Sequence, residues 1–260
     1  MYDVSPIDSD RVARDFVAAH HYARRASSTA HRFGLWRSGE LVGVALFGPP
    51  ASMNAHRAVF PTLSPREAVT LGRLVLTDDV PGNGESWFIA RCFELLATPK
   101  LYRPENADGS PRSGVVAVES CADPEPRSSV NGSIVHRGHL GIIYQATNGR
   151  YVGRTNNATL HLLPDGTVLS NRASGKIARG ERGGSGAISE LERWGADPLR
   201  DGEDPAAWIQ RWRPHLTRRI RHPGNHRYLW CLDRRRRREV LTRPGLPYPK
   251  LDQRSETTEV

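Results

Sequence analysis

The stretch that decides the fold class is residues 68–96, AVTLGRLVLTDDVPGNGESWFIARCFELL. Its first nine residues are rich in leucine and valine, and this composition predicts a buried central strand. The following TDDVPGNGE carries proline and glycine and predicts a loop. Apolar residues then recur at helical spacing over residues 86–96, with Ser86 as the predicted N-cap. A strand, a loop and a helix in this order are typical of an α/β fold.

The turn inside this stretch has the features of a phosphate-binding site. Gly82, Asn83 and Gly84 precede the predicted helix, and glycine lets backbone N–H groups approach a ligand closely. Ser86 adds a hydroxyl, and the helix dipole adds positive potential, so pyrophosphate is a natural ligand. Arg73, on the strand, would meet phosphate or shape an adjoining pocket. An ordinary strand–helix turn can have the same composition, because loose glycine patterns are common.

The rest of the chain also alternates between strand-like and helix-like patterns, with a hairpin at residues 33–47. The sequence predicts strands at 33–36, 41–47, 114–119, 151–154 and 228–232, helices at 7–20, 139–147, 188–194 and 205–216, and loops at 103–113, 124–137 and 170–186. Together these segments, with helices between strands, predict an α/β sheet.

Composition narrows the class of protein. The chain has 260 residues, 38% of them hydrophobic, which is enough for a sizeable core. Its formal charge of +9 favours polyanionic partners such as nucleic acid. The three cysteines are far apart and predict neither a disulfide framework nor a cysteine zinc site. No stretch approaches the ~20 apolar residues of a membrane span, and no signal pattern opens the chain, so we expect a cytoplasmic location without membrane contact.

Titratable side chains gather at the end of the first predicted helix. His20, His21 and Tyr22 stand there, close to Arg24 and Arg25. A histidine at this place can serve as a base or a metal ligand, or simply complement the helix dipole. His21 and Tyr22 are therefore candidate catalytic residues, and the two arginines are candidate DNA contacts.

A second set of candidate catalytic residues follows the strand predicted at 114–119. Asp123, His139 and Tyr144 offer a carboxylate, an imidazole and a phenol near one end of the sheet, where ligands bind in open α/β sheets. A polar network around a loop is the alternative interpretation.

Arginines dominate the region from residue 218 to residue 238. Their density beside Tyr228 and Trp230 predicts phosphate contacts, although a solvated basic segment is the commoner meaning of such a run. The candidate DNA contacts in this region are Arg221, Arg227, Arg234, Arg235 and Arg236.

Several motifs in series resemble the Mom family of phage DNA-modification proteins. The resemblance is carried by HHYARR, FGLWRSGELVGVALFGPP, LGRLVLTDDVPGNGESWFIARC, GHLGIIYQATNGRYVGRT and HPGNHRYLW. It implies a GNAT-like α/β fold of the α+β type, in which a mixed, mainly antiparallel sheet flanked by helices splays in the middle to admit acetyl-CoA or a related acyl-CoA. It also implies conversion of adenine in DNA to N6-(methylcarbamoyl)adenine, which blocks restriction, and a possible role for iron.

The residues that the family treats as functional match Tyr22, Arg73, Ser86, Asp123 and Tyr144 in this sequence. The implied cofactor contacts are Arg73, Val75 and the turn at residues 82–86. Two departures stand out. The segment 124–137 separates Asp123 from the GHLG motif, and Asn148-Gly149 replaces a common Asn-Trp pair.

The sequence therefore predicts a phage- or prophage-encoded transferase that modifies the N6 amine of adenine in double-stranded DNA. We expect a GNAT-like catalytic domain at residues 1–165, a basic extension packed on it at 166–243, and a flexible tail at 244–260. One alternative is a GNAT acyltransferase that acts on a small-molecule, protein or hypermodified-base amine and needs no DNA. The other is a noncatalytic DNA-binding protein, which leaves the phosphate-binding turn without a purpose.

Overall fold

The computed structural model describes residues 1–22, 25–98 and 114–250. The chain forms two compact units. The first unit consists of Met1–Asp123, His139–Arg154 and Asn225–Val260, and the second consists of Pro124–Gly138 and Thr155–Gly224. The predicted boundaries at 165/166 and 243/244 do not coincide with this division, because residues after 224 supply a strand inside the sheet of the first unit.

The helices and strands are numbered separately in chain order. They are Tyr2–Pro6 (β1), Asp10–His20 (α1), His31–Arg37 (β2), Glu40–Gly48 (β3), Met53–Val59 (α2), Ala68–Leu76 (β4), Gly84–Ala97 (α3), Ala117–Ala122 (β5), Arg127–Ser128 (β6), Ile134–His136 (β7), Ile142–Ala146 (α4), Arg150–Arg154 (β8), Ala158–Leu162 (β9), Val168–Leu169 (β10), Asn171–Ala178 (α5), Ser185–Arg193 (α6), Pro205–Leu216 (α7), Arg218–His222 (β11), His226–Cys231 (β12) and Arg237–Val240 (α8).

The first unit is built on a seven-stranded sheet in the order β1-β2-β3-β4-β5-β12-β8. Its neighbours pair antiparallel, except for the parallel pair β4 and β5. This arrangement confirms the predicted α/β class with a mixed, mainly antiparallel sheet. The predicted hairpin at 33–47, the central strand and the strand around Tyr228 are all present.

The two parallel strands separate halfway along their length. They pair from Ala68↔Ala117 to Leu71↔Ser120, after which β4 continues to Leu76 beside β3 alone. The register between β3 and β4 shifts at the same place, which leaves Gly72 as a bulged residue. The sheet is therefore splayed in its middle, as the GNAT-like fold predicts.

Helix α3 covers one face of this sheet. Its stripe of Phe88, Ile89, Cys92 and Leu96 is fully buried, as the helical periodicity predicts. Complete burial of a large apolar side chain stabilises the fold by roughly 1.5–3 kcal/mol. The helix begins earlier than predicted, at Gly84, so Ser86 lies in its first turn and is not its N-cap.

Helices α1, α2 and α8 lie against the opposite face, where the sheet contributes a second set of apolar residues. Ser9 caps α1, and its side chain accepts a hydrogen bond from the amide of Val12. Ala13 and Val17 of this helix pack with Val44 of β3. Among the described residues, no helix has the length and apolar character that crossing a bilayer requires.

The second unit contains the three-stranded sheet β10-β9-β11, the hairpin β6–β7 and helices α5 to α7. The predicted loop at 170–186 is wrong, because α5 and the start of α6 occupy it. Ser170 caps α5, and Ile177 packs with Trp208 in the core of this unit. The loop predicted at 124–137 is likewise a two-stranded hairpin.

At both interruptions of the first unit, the residues that flank the missing segment are neighbours within that unit. The amide of His139 donates to the carbonyl of Asp123 at 2.7 Å, so the segment between them returns to its starting point. His226, where β12 begins, pairs with Ala122 on one side and Arg154 on the other. The inserted segment 124–138 therefore leaves Asp123 and the GHLG motif adjacent.

The segment 244–250, predicted as part of a flexible tail, makes specific contacts in the first unit. The amide of Leu246 donates to the carbonyl of Tyr151 at 2.9 Å, along the edge strand β8. The ring of Tyr248 lies 6.3 Å from that of Tyr228. The prediction missed these contacts because they need only a few apolar side chains. The last ten residues, 251–260, lie outside the described residues.

Candidate active site

Tyr144 lies at the centre of a group of aromatic rings beside the splayed strands. Its ring centroid is 5.4 Å from that of Tyr228 and 5.6 Å from that of Trp230, and its side chain is buried. His139 packs edge-on against it at 6.3 Å. The structure thus brings together two of the predicted catalytic residues, Tyr144 and His139, although five positions separate them in the sequence.

Two glycines allow this close packing. Gly141 precedes α4 with a φ of 75°, and a Cβ atom there would lie 2.8 Å from the rings of both Tyr144 and Tyr228. Gly149 lies under Trp230, whose ring would be 2.7 Å from a Cβ atom at that position. The second departure from the family pattern therefore has a local explanation, because the indole of Trp230 occupies the space beside residue 149.

Polar groups from other parts of the first unit affect the titration of the Tyr144 hydroxyl. Burial raises the pKa of Tyr144 to about 12, a hydrogen bond with Ser120 opposes this shift, and the charges of Tyr22 and Glu85 add to it. Ser120 also donates to the carbonyl of Leu71 at 3.0 Å, where β4 and β5 separate. Tyr144 therefore stays protonated at neutral pH and can donate a proton or a hydrogen bond into the cleft.

Arg73 follows the bulge in β4 and is tied to the chain that comes after α1. Its Nε donates to the carbonyl of Arg25 at 2.8 Å, and its Nη1 donates to the carbonyl of Gly72. Burial lowers the pKa of the Arg73 guanidinium, and the neighbouring Tyr22 and Tyr144 oppose that shift. Arg73 is thus a partly buried cation beside both tyrosines, in accordance with a role in shaping the pocket.

The segment after α1 lies unusually close to the sheet. A Cβ atom at Gly72 would lie 2.4 Å from the hydroxyl of Ser27, and one at Gly48 would lie 1.8 Å from the carbonyl oxygen of Ser28. Only glycine at these two strand positions permits this approach. The described residues at 27–29, which precede β2, are held against the sheet by these contacts.

The turn between β4 and α3 offers backbone groups to an anion. Gly84 donates to the carbonyl of Pro81 at 2.7 Å, whereas helical geometry leaves the amides of Glu85 and Ser86 without intrahelical acceptors. The hydroxyl of Ser86 donates to the carbonyl of Asn83 at 3.0 Å. Gly82 is exposed beside these groups. This backbone geometry suits the pyrophosphate of a CoA-type cofactor.

The side chains of this turn are acidic, which weakens its attraction for an anion. Asp79 is compensated, since Arg37 pairs with it at 2.7 Å and the hydroxyl of Thr77 donates to it at 2.6 Å, and both contacts lower its pKa. Glu85 lies in the first turn of α3, and burial raises its pKa. The backbone N–H groups of the turn therefore favour the pyrophosphate of a CoA-type cofactor, whereas the acidic side chains of the turn oppose it.

Three predicted residues take positions that limit their roles. Val75 is buried on the α1 side of the sheet with Val44 and Leu46, so only its backbone can line the cleft. Tyr22 is partly exposed, and His21 stacks on it at 4.2 Å. Sequence reasoning missed Ser120 and Glu85. The one available signal for Ser120 was a small polar residue inside an apolar strand.

The arginines predicted to contact DNA fall into two groups. Arg227 is partly buried, with its Nε 2.8 Å from the buried carboxylate of Glu119, and Arg236 pairs with Glu67 at 2.5 Å and Glu239 at 2.7 Å. Both guanidinium groups are held in intramolecular ion pairs, so fewer of their N–H groups remain for the phosphate contacts that the sequence predicts. The exposed members are Arg25, Arg221, Arg234 and Arg235, while Arg24 lies outside the described residues.

Metal ligation finds no support in the described parts of the chain. Within residues 1–22, 25–98 and 114–250, no group of three or more His, Cys, Asp or Glu side chains is placed to hold a metal ion. Cys92, Cys121 and Cys231 are free thiols. Burial raises the pKa of Cys121 to about 12, with the charge of Glu119 adding to the shift.

Comparison with solved structures returns acetyltransferases at low similarity. A tandem GNAT protein from the clavulanic acid biosynthesis pathway has a TM-score of 0.42 and 8% identity, covering 90% of this chain and 99% of that one. An N-acetyltransferase from Staphylococcus aureus Mu50 has a TM-score of 0.39 and 8% identity over the same shares of each chain.

Comparison with known sequences finds a phage protein and a family model, and the range of the family model includes several candidate site residues. The methylcarbamoylase Mom of Escherichia phage Mu is 27% identical over 183 residues, which are 70% of this chain and 66% of that protein. The match thus covers slightly less than two thirds of the relative's length. A model of the Mom protein family matches residues 1–103, a range that includes Tyr22, Arg73 and Ser86. The resemblance of this chain to the Mom protein family is thereby confirmed.

Proposed function

We propose that this protein is a DNA base-modifying transferase that places an acyl-type group, such as methylcarbamoyl, on the N6 amine of adenine. The observation that carries the proposal is the cluster of Tyr22, Arg73, Ser120 and Tyr144 where β4 and β5 diverge. The similarity to a phage methylcarbamoylase supports the reaction class. Such a modification would protect phage DNA from restriction inside the bacterial host.

The reaction requires a proton to leave the amine and another to reach the leaving group. The lone pair of an adenine amine is delocalised into the ring, so attack on a carbonyl carbon needs a base that takes the amine proton. Asp123 or His139, which adjoin each other at the edge of the sheet, would accept it. As the nitrogen–carbon bond forms, the leaving group departs with its electron pair, and Tyr144 would protonate it.

A CoA-type cofactor would be held by the turn between β4 and α3. The amides of Glu85 and Ser86 and the glycine backbone at 82 and 84 would bind its pyrophosphate. When bound, the cofactor supplies an activated carbonyl group. Plain acetyl transfer does not provide the nitrogen of a methylcarbamoyl group, so the donor class is part of the proposal to be tested.

Duplex DNA is the proposed acceptor. The formal charge of +9 and the exposed Arg25, Arg221, Arg234 and Arg235 support binding to phosphates. Replacement of Arg234 and Arg235 by serine should flatten the dependence of log affinity on log salt by about 0.9 per lost phosphate contact. An unchanged slope would remove these two arginines from the DNA-binding surface.

Mass spectrometry of nucleosides tests the function most directly. Plasmid DNA from cells that express the protein should contain a heavier deoxyadenosine derivative that DNA from cells with an empty vector lacks. Unmodified nucleosides under good expression would refute the proposal. Transfer from acyl-CoA to free amines, without DNA, would instead support the alternative of a conventional N-acyltransferase.

A further inference from the structure

The β6–β7 hairpin of the second unit presents two aliphatic side chains to solvent. Val130 is 79% exposed and Ile134 is 64% exposed, and both lie within a short hairpin whose remaining tip residues are small or polar. Apart from the N-terminal methionine, these are the most exposed large apolar residues in the described parts of the chain. Side chains of this kind at a hairpin tip indicate a contact surface.

The tip is held in a defined conformation. The amide of Ser129 donates to the carbonyl of Ser133 at 2.9 Å, and the amide of Gly132, with a φ of 84°, donates back to Ser129 at 3.1 Å. The side chain of Asn131 accepts a hydrogen bond from the hydroxyl of Ser129. The amide of Val130 donates to the carbonyl of Pro164 at 2.8 Å, which anchors the tip to the β9–β10 turn. The aliphatic pair is therefore presented on a rigid support.

A basic strand of the same unit adjoins this hairpin. Arg218, the first residue of β11, donates to the carbonyl of Ser128 at 3.5 Å. Further along the strand, Arg219 and Arg221 share one face, opposite His161 and Thr159 of β9. Both arginines are exposed, and in the described residues neither pairs with a carboxylate. The surroundings of the aliphatic tip are thus cationic.

We propose that the hairpin is a wedge that enters a DNA duplex, with Val130 and Ile134 unstacking a base step while Arg219 and Arg221 contact the phosphates. This inference rests on the proposed function. The N6 amine of a paired adenine is stacked and hydrogen-bonded, so an enzyme that acts on it must turn the base out of the helix. Proteins that distort duplexes commonly insert aliphatic side chains between bases, and neighbouring cations hold the backbone.

The test uses the full-length protein and a duplex that carries 2-aminopurine, whose fluorescence rises when the base leaves the stack. The wedge variant is Val130→Asn with Ile134→Asn, and the matched control is Val12→Asn, a change at an exposed valine on α1 of the first unit. We expect the wild type and the control to raise the fluorescence equally. The wedge variant should lose most of the rise and at least about tenfold of its modification rate on paired DNA, because unstacking is costly.

Three further results decide the proposal. A mismatch opposite the target base should restore the fluorescence rise and the modification rate of the wedge variant, because turning an unpaired base out of the helix costs less free energy. Arg219→Ser with Arg221→Ser should weaken binding and flatten the salt dependence, whereas the wedge variant should keep its salt dependence. Equal fluorescence and rates for the wild type and the wedge variant would overturn the wedge.

Two further outcomes concern the oligomeric state of the protein and the activity of the wild type on DNA. If light scattering shows that the wild type self-associates and the wedge variant is monomeric, the aliphatic pair is a protein contact, and the wedge is refuted. If the wild type neither binds nor modifies DNA, the proposed function fails, and the wedge fails with it. Modification by a wild type whose wedge variant is equally active refutes only the wedge.

Discussion

Replacement of Tyr144 by phenylalanine removes one hydroxyl and keeps the ring that packs between Tyr228 and Trp230. The fold should persist, because the lost hydrogen bond with Ser120 contributes only about 0.5–1.5 kcal/mol. If Tyr144 is the general acid of the proposed reaction, the modification rate should fall by roughly 10²–10⁴-fold.

The same substitution should change how stability depends on pH. Burial raises the pKa of Tyr144 to about 12, whereas a tyrosine in the unfolded chain titrates near its ordinary pKa of about 10. Between these values the unfolded state has released the proton and the folded state has kept it, so stability falls as pH rises. The loss is about 1.4 kcal/mol per pH unit above about pH 10, and Tyr144→Phe removes it.

Two measurements check this reasoning. Nucleoside mass spectrometry gives the modification rate, and urea unfolding from about pH 9 to about pH 11 gives the stability of each variant. Tyr228→Phe is the matched control for the modification rate, because it removes a hydroxyl that donates to the carbonyl of Leu140 from a neighbouring ring. It is not a control for the pH dependence, because burial also raises the pKa of Tyr228 to about 12 and both variants should lose part of the fall in stability. Full activity in Tyr144→Phe would refute its role as the acid. A pH dependence identical to that of the wild type would refute its raised pKa.

Three further predictions concern charge and close packing. Arg227→Ala should destabilise the protein by about 3–5 kcal/mol by leaving Glu119 buried and unpaired, and Arg227→Ala with Glu119→Leu should recover much of that loss in chemical unfolding. Gly48→Ala should displace the segment at Ser28, because the added Cβ atom would lie 1.8 Å from the carbonyl oxygen of Ser28. The variant should lose more activity than stability. Activity equal to that of the wild type would contradict this close packing. Glu85→Gln should raise affinity for CoA several-fold in calorimetry, because it removes a carboxylate from the turn that we propose binds the pyrophosphate. Since burial raises the pKa of Glu85, the wild type should bind CoA more tightly as pH falls through that pKa, and the variant should not.

Periodicity predicted the elements whose apolar residues are numerous and regular. The sequence predicted helix α3 because its apolar residues recur at helical spacing over more than two turns, and it predicted strand β4 because its apolar residues follow one another closely. The start of α3 was misplaced because its first residue, Gly84, is a poor helix former that tertiary packing nevertheless accommodates. Helix α5 was missed because only Ser174 and Ile177 are buried among glycine and basic residues.

Roles that depend on distant partners were the least predictable. Arg227 and Arg236 belong to a basic sequence, yet each pairs with a carboxylate far away in the chain, Glu119 and Glu67. The place of Ser120 in the candidate site could be recognised only from the structure, in which pairing of β4 with β5 places it beside Leu71. Short-range spacing contains no information on such contacts, whereas it does predict a turn between β4 and α3 that carries glycine.

The adjacency of Asp123 and His139 has a consequence for how such a protein can change its length. The two residues share a backbone hydrogen bond of 2.7 Å, so a segment of any size can be spliced between them while strand pairing in the sheet is kept. The entropic cost of closing a longer loop grows only logarithmically, by about 0.6 kcal/mol for each doubling. A short linker should therefore replace residues 124–138 without unfolding the first unit. Other segments should be tolerated at the same position between Asp123 and His139.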